Sequence, residues 1–138
     1  QVLEIFAVLN KEVAMVLVPS FLLKRLYVKG SLRHDEQGFR FVLRNTLGSG
    51  YGNELLPLEL DGKELPRENC FYLLDSSPQP FTGVSKENPF SLPMNRDLTI
   101  FVKGIRLSDG PHKLKISFVA EGIGKLSFEV VDQPARDA

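Results

Sequence analysis

Apolar and polar side chains alternate along stretch after stretch of this chain, a period of two that suits a half-buried strand and not a helix. Phe39, Phe41 and Leu43 alternate with Arg40 and Arg44, Leu56, Leu58 and Leu60 with Pro57 and Glu59, and Leu98, Ile100 and Val102 with Thr99 and Lys103. Towards the C-terminus Leu114, Ile116 and Phe118 alternate with Lys113, Lys115 and Ser117, and Leu126, Phe128 and Val130 with Ser127 and Glu129. The last two stretches flank Glu121-Gly122-Ile123-Gly124, so they are expected to form a closing hairpin. Turn signals fall at Gln37-Gly38, at Asp61-Gly62 and at Ser108-Asp109-Gly110-Pro111. Short strands with turns between them and no amphipathic helix predict an all-β fold, a single antiparallel sandwich of immunoglobulin-like or jelly-roll-like type.

A chain of 138 residues suffices for one core. Its 43% hydrophobic and 25% charged residues are those of an ordinary globular protein. The expected organisation is an N-terminal extension over 1–14, a sandwich over 15–132 and a frayed tail over 133–138. Gln1 is not a natural initiator, whereas Met15-Val16-Leu17-Val18-Pro19 would serve as a start; the leading segment suits a short helix or an added strand equally well.

Seventeen basic residues balance seventeen acidic ones, which argues against a nucleic-acid partner. Lys24, Arg25, Lys29 and Arg33 form the one basic stripe; they alternate with Leu26, Val28 and Leu32 and read as the wet face of a strand. No apolar run reaches the roughly 18 residues of a bilayer span, and the first residues lack the pattern of a signal peptide. No membrane partner and a cytoplasmic location are the expectation. The single cysteine, Cys70, opens an apolar run and reads as a small buried hydrophobe.

Chemistry is sparse. With two histidines and one cysteine, neither a metal site nor a cofactor is expected. His34, in His34-Asp35-Glu36-Gln37-Gly38, reads as part of an exposed turn, and His112 as a strand-opening residue whose ring bonds a neighbouring backbone group; either is a candidate for proton transfer. The segment Leu47-Gly48-Ser49-Gly50-Tyr51-Gly52-Asn53 reads as a flexible loop, since an anion cradle would need to open a helix. Residues 75–96 break the alternation with Pro78, Pro80, Pro89 and Pro93 and form a long connection, whose Phe81, Val84, Phe90, Leu92 and Met94 are expected to pack on the sandwich or on another chain. Tyr51, Asn53, Phe81, Phe90 and Met94 are the candidate binding residues.

Ser31-Leu32-Arg33, Gly38-Phe39-Arg40-Phe41, Asp61-Gly62-Lys63-Glu64-Leu65-Pro66-Arg67-Glu68 and Leu107-Ser108-Asp109-Gly110-Pro111-His112 follow one another in an order that resembles the small β-subunit family of C-glycoside deglycosidases, over residues 21–131. That resemblance implies a β-sandwich accessory subunit beside a larger, metal-dependent barrel that carries the sugar chemistry. Similar short chains also look like a group labelled hydroxymethylglutaryl-CoA reductase, a label set aside here for want of length and of a glycine-rich strand-to-helix fingerprint. The expected function is a non-catalytic accessory or scaffold subunit that binds a larger, sugar-active protein or assembles as a homo-oligomer. The alternatives are a carbohydrate-binding module with Tyr51, Tyr72 or Phe81 as platform, and a small hydrolase or lyase.

Overall fold

The computed structural model describes residues 18–75 and 77–135. The expectations placed on residues 1–14 and on 136–138 of the tail lie outside this range; the start of the tail is not frayed, since Ala135 bridges Arg33 and donates its N–H to the Leu32 carbonyl at 2.8 Å.

The alternating stretches do become strands. In chain order they are β1 (Arg33–Asp35), β2 (Gly38–Arg44), β3 (Gly50–Leu55), β4 (Glu59–Leu60), β5 (Lys63–Glu64), β6 (Cys70–Leu73), β7 (Gln79–Pro80), β8 (Phe90–Leu92), β9 (Asp97–Lys103), β10 (His112–Ala120) and β11 (Gly124–Asp132). They form two antiparallel sheets, one ordered β1-β2-β9-β6-β7 and the other built on β10, which takes β11 along one edge and β4 and β3 along the other. The protein is all-β, with the two sheets packed as a sandwich. The β10–β11 hairpin runs without interruption from Ala120 opposite Gly124 to His112 opposite Asp132.

Each strand gives one face to the interior, so Phe39 and Phe41, Leu98, Ile100 and Val102, Leu114, Ile116 and Phe118, and Leu126 and Phe128 meet in one buried cluster. Phe90 joins the sheets through an edge contact with Phe118 and a tilted one with Tyr72, arrangements that aromatic rings favour. Cys70 is fully buried among these groups, as its sequence context suggests. Burial pushes its thiol pKa up to about 11, which leaves almost no thiolate near neutrality.

Several local expectations are corrected. The basic stripe does not lie on a strand: Ser20–Leu23 is a turn of α-helix, α1, that continues as a 3-10 turn over Lys24–Leu26. Pro19 offers its carbonyl to the N–H groups of Leu22 and Leu23, and Leu23 and Leu26, three residues apart, share the buried side while Lys24 and Arg25 stay in water. A period near three had been masked by the accident that Leu26, Val28 and Leu32 also fit a period of two. Of the stretch around Leu56, only Glu59–Leu60 is a strand.

The glycine-rich segment is not a loop from end to end either, because from Gly50 onward it is β3, with Asn53 as an extra, unmatched residue: Glu54 lies opposite Val119 and Gly52 opposite Ala120. Gly52 is required by packing, since a Cβ there would stand 1.8 Å from the Phe90 ring, whereas a Cβ on Gly50 would meet nothing. The proline-rich connection is partly ordered into β7, a 3-10 turn over Phe81–Gly83, and β8. Its Phe81, Val84 and Phe90 are core residues.

Gly52→Ala is therefore expected to destabilise the fold by about 1–3 kcal/mol, the usual cost of overpacking. Gly50→Ala should be neutral or slightly stabilising. Urea unfolding of both variants checks the difference. Native Cys70 should resist an aromatic disulfide reagent at neutral pH and react at once in denaturant, which a colorimetric thiol assay reads directly.

Candidate functional site

Two places bring the singled-out residues together, and they differ in what their polar groups are free to do.

The first lies where β10 begins. His112 is the first residue of the strand, and the turn before it curls back so that the Ser108 carbonyl accepts from Nε2 at 2.7 Å. Across the sheet, Asp61, in the turn between β4 and β5, meets Nδ1 through Oδ2 at 2.7 Å, while its Oδ1 accepts the Lys113 N–H at 2.8 Å. Asp61 holds a positive φ of 52°, which a short polar side chain tolerates better than most. The Ser108 hydroxyl stands 3.4 Å from Nε2.

Acid, imidazole and hydroxyl in this order have the composition of a nucleophilic triad but not its hydrogen bonding. A general base needs Nε2 as an acceptor facing the hydroxyl, whereas here both ring nitrogens face acceptors and the ring is satisfied when both carry protons. Burial lowers the His112 pKa, but the bonds to the Ser108 carbonyl and to Asp61, together with the Asp61 charge, outweigh it and leave the value above the ordinary 6.5. The Lys113 N–H, then His112, hold Asp61 below its ordinary 3.8. His112 is thus a strut between the two ends of a strand pair. The sequence pointed to a backbone partner for it, which is found; it held no sign of Asp61, which is 51 positions away. His34 is not in an exposed turn: it lies on β1, half-buried, with Nε2 3.8 Å from Asp109 Oδ1. Among the described residues no group of three histidine, cysteine or acidic side chains is placed to hold a metal ion.

The second place is the end of the sandwich where β2 stops and β3 and β8 pair. Asn45, the residue after β2, is buried with both polar atoms of its side chain used. Its Nδ2 donates to the carbonyls of Gly48 and Leu92 at 2.7 and 2.9 Å, and its Oδ1 accepts the N–H groups of Leu47 and Gly48. The Asn45 carbonyl accepts from Asn95, and Ser49 Oγ accepts from the Met94 N–H at 3.2 Å. One side chain thereby ties the turn after β2 to the segment after β8.

Above this knot the tied segments present Tyr51, 53% exposed, and Met94, 39% exposed. Asn53, two residues further along β3, is half-buried. Beside it lies a cavity of about 60 Å³ whose lining includes Asn45 itself with Ser49, Tyr51, Glu121, Leu23 and Leu126. Of the candidate binding residues, then, Tyr51 and Met94 are exposed on segments that the Met94 N–H to Ser49 bond joins, while Phe81 and Phe90, at 1% and 3% exposure, face the core and cannot touch a partner. Sequence reasoning missed Asn45. Its one available signal was an asparagine placed where alternation ends, a frequent start of a side-chain-closed turn.

A family model described as hydroxymethylglutaryl-CoA reductase, N-terminal domain, matches residues 22–134, from within α1 to just past β11 and so across both sheets. The chain belongs to that family. No curated protein matches it. Membership in the reductase N-terminal domain family corrects the likeness to C-glycoside deglycosidase subunits, which rested on turn glycines and strand alternation that unrelated sandwiches share. It also reverses the setting aside of the reductase label, which rested on length and on the want of a glycine-rich strand-to-helix fingerprint.

The strut at His112 carries a pH dependence whose sign follows from the shifts. A raised histidine pKa gives stability that is fully present below the ordinary 6.5 and is lost as pH rises through the folded value; the lowered Asp61 gives stability present above 3.8 and lost as pH falls through its folded value. Stability from this pair should therefore be greatest between about pH 4 and 6.5 and decline above it. Urea midpoints on either side of neutrality check this: the wild type should lose stability towards alkaline pH, and Asp61→Asn should flatten that decline.

Proposed function

We infer that this chain is a non-catalytic binding or scaffold domain that docks a larger protein through the rim formed by Tyr51 and Met94. The observation that carries the inference is the contrast between the two places. The group with catalytic composition has its imidazole committed to two acceptors, and the rim displays apolar side chains on a backbone held rigid by Asn45. An aromatic and a methionine on a pre-ordered support are favoured anchor types at interfaces, because little conformational freedom remains to be lost on docking. Membership in a family described as the N-terminal domain of a reductase supports the same inference, since such a domain is one part of a larger enzyme. The free thiol of Cys70 suits a reducing, cytoplasmic compartment.

Tyr51→Ala combined with Met94→Ala should leave the fold intact and weaken partner binding by about tenfold or more, the effect of losing an interface anchor. Native mass spectrometry of the tagged chain from its own host, wild type beside the double variant, checks it. A stoichiometric larger subunit held by the wild type and lost from the variant is the expected result, and equal recovery by both would remove the rim from consideration.

A further inference from the structure

β11 takes a ladder partner on one side only among the described residues. It is one of the two longest strands, nine residues, and it carries neither a proline nor a bulge, two of the devices by which edge strands avoid pairing; α1 and the 3-10 turn after it lie against the strand, and its last residue, Asp132, accepts from Tyr27, Gly30 and Leu32. Leu126 and Phe128 point into the core, and α1 packs against this side with Leu23 beside Leu126. The outer face bears Lys125, Ser127, Glu129 and Val131, the last 60% exposed. Among the described residues neither Lys125 nor Glu129 belongs to an ion pair, whereas the neighbouring Lys115 pairs with Glu59 at 3.8 Å.

We propose that β11 pairs antiparallel with β11 of a second copy of this chain, about a two-fold axis at Ser127, joining the two β10-centred sheets into one. The register follows from charge. Centred on Ser127, Lys125 of each copy stands opposite Glu129 of the other on the same face, twice over by symmetry, and Val131 stands opposite Ile123. Centring the axis on Leu126 or Phe128 sets both charges against neutral residues, and centring it on Lys125 or Glu129 sets like charges together. Beyond Ile123 the second copy continues to its exposed Glu121, which approaches a groove beside residues 129–131 edged by Lys24, Lys29 and Lys113. That groove is positive on a chain of no net charge, and the acidic turn of a second copy complements it.

Exchange of the charges tests both the dimer and its register. The full chain should sediment as a dimer, more tightly at low salt. Lys125→Glu and Glu129→Lys, each folded by circular dichroism, should each raise the dimer dissociation constant at least about tenfold, since each sets like charges opposite at two places. Mixed in equal amounts they should recover a dimer that native mass spectrometry identifies as one copy of each, because the two exchanged side chains then face each other with opposite charge and the two unexchanged ones do likewise. The double variant, with the charge order reversed in every copy, should dimerise as the wild type does. A wild type that stays monomeric at every concentration reached overturns the proposal, as does a dimer indifferent to the single exchanges.

Discussion

The sandwich depends on β10 having both edges occupied. Its full length is laddered to β11 on one side, and its two halves are laddered to β4 and β3 on the other, so residues that lie far apart in the chain are brought to opposite flanks of one strand. Leu114, Ile116 and Phe118 then enter the interior as a single row, and the second sheet closes over them with Phe39, Phe41 and Ile100. Each of these side chains contributes about 1.5–3 kcal/mol by leaving water. His112 sets where this strand begins, because its ring is held by Asp61 from the flanking strand pair and by the turn that precedes it.

Polar groups inside such a core are tolerable only when satisfied, and the two polar centres here meet that requirement in different ways. Asn45 uses both its donor and acceptor sides on backbone, so it fixes two chain segments without any charge. His112 uses a carboxylate, so its contribution varies with pH. Rigidity at the Asn45 end supports a surface that displays Tyr51 and Met94.

Alternation along β2, β9, β10 and β11 was legible because a strand with one wet face writes its periodicity directly into the sequence. The Gly-rich turn between β10 and β11 was legible for the same local reason. The segment around Lys24 was misread because Leu26, Val28 and Leu32 fit a period of two, and only the burial of Leu23 with Leu26 decides for the helix. The segment around Gly50 was misread because glycine usually marks freedom; here Gly52 marks the close approach of the Phe90 ring, a contact from 38 positions away.

By itself the sequence determined the all-β class, the register-setting hairpin, the burial of Cys70 and the balance of charge, all properties of local pattern or of composition. Tertiary structure alone decided that Phe81 and Phe90 are core and Tyr51 and Met94 are surface, that Asn45 joins two turns, and that Asp61 rather than Ser108 Oγ commands the His112 ring. The reason is physical. Periodicity records which side of a strand meets water, but which strands become neighbours depends on long-range pairing, and the chemistry of a site depends on those neighbours.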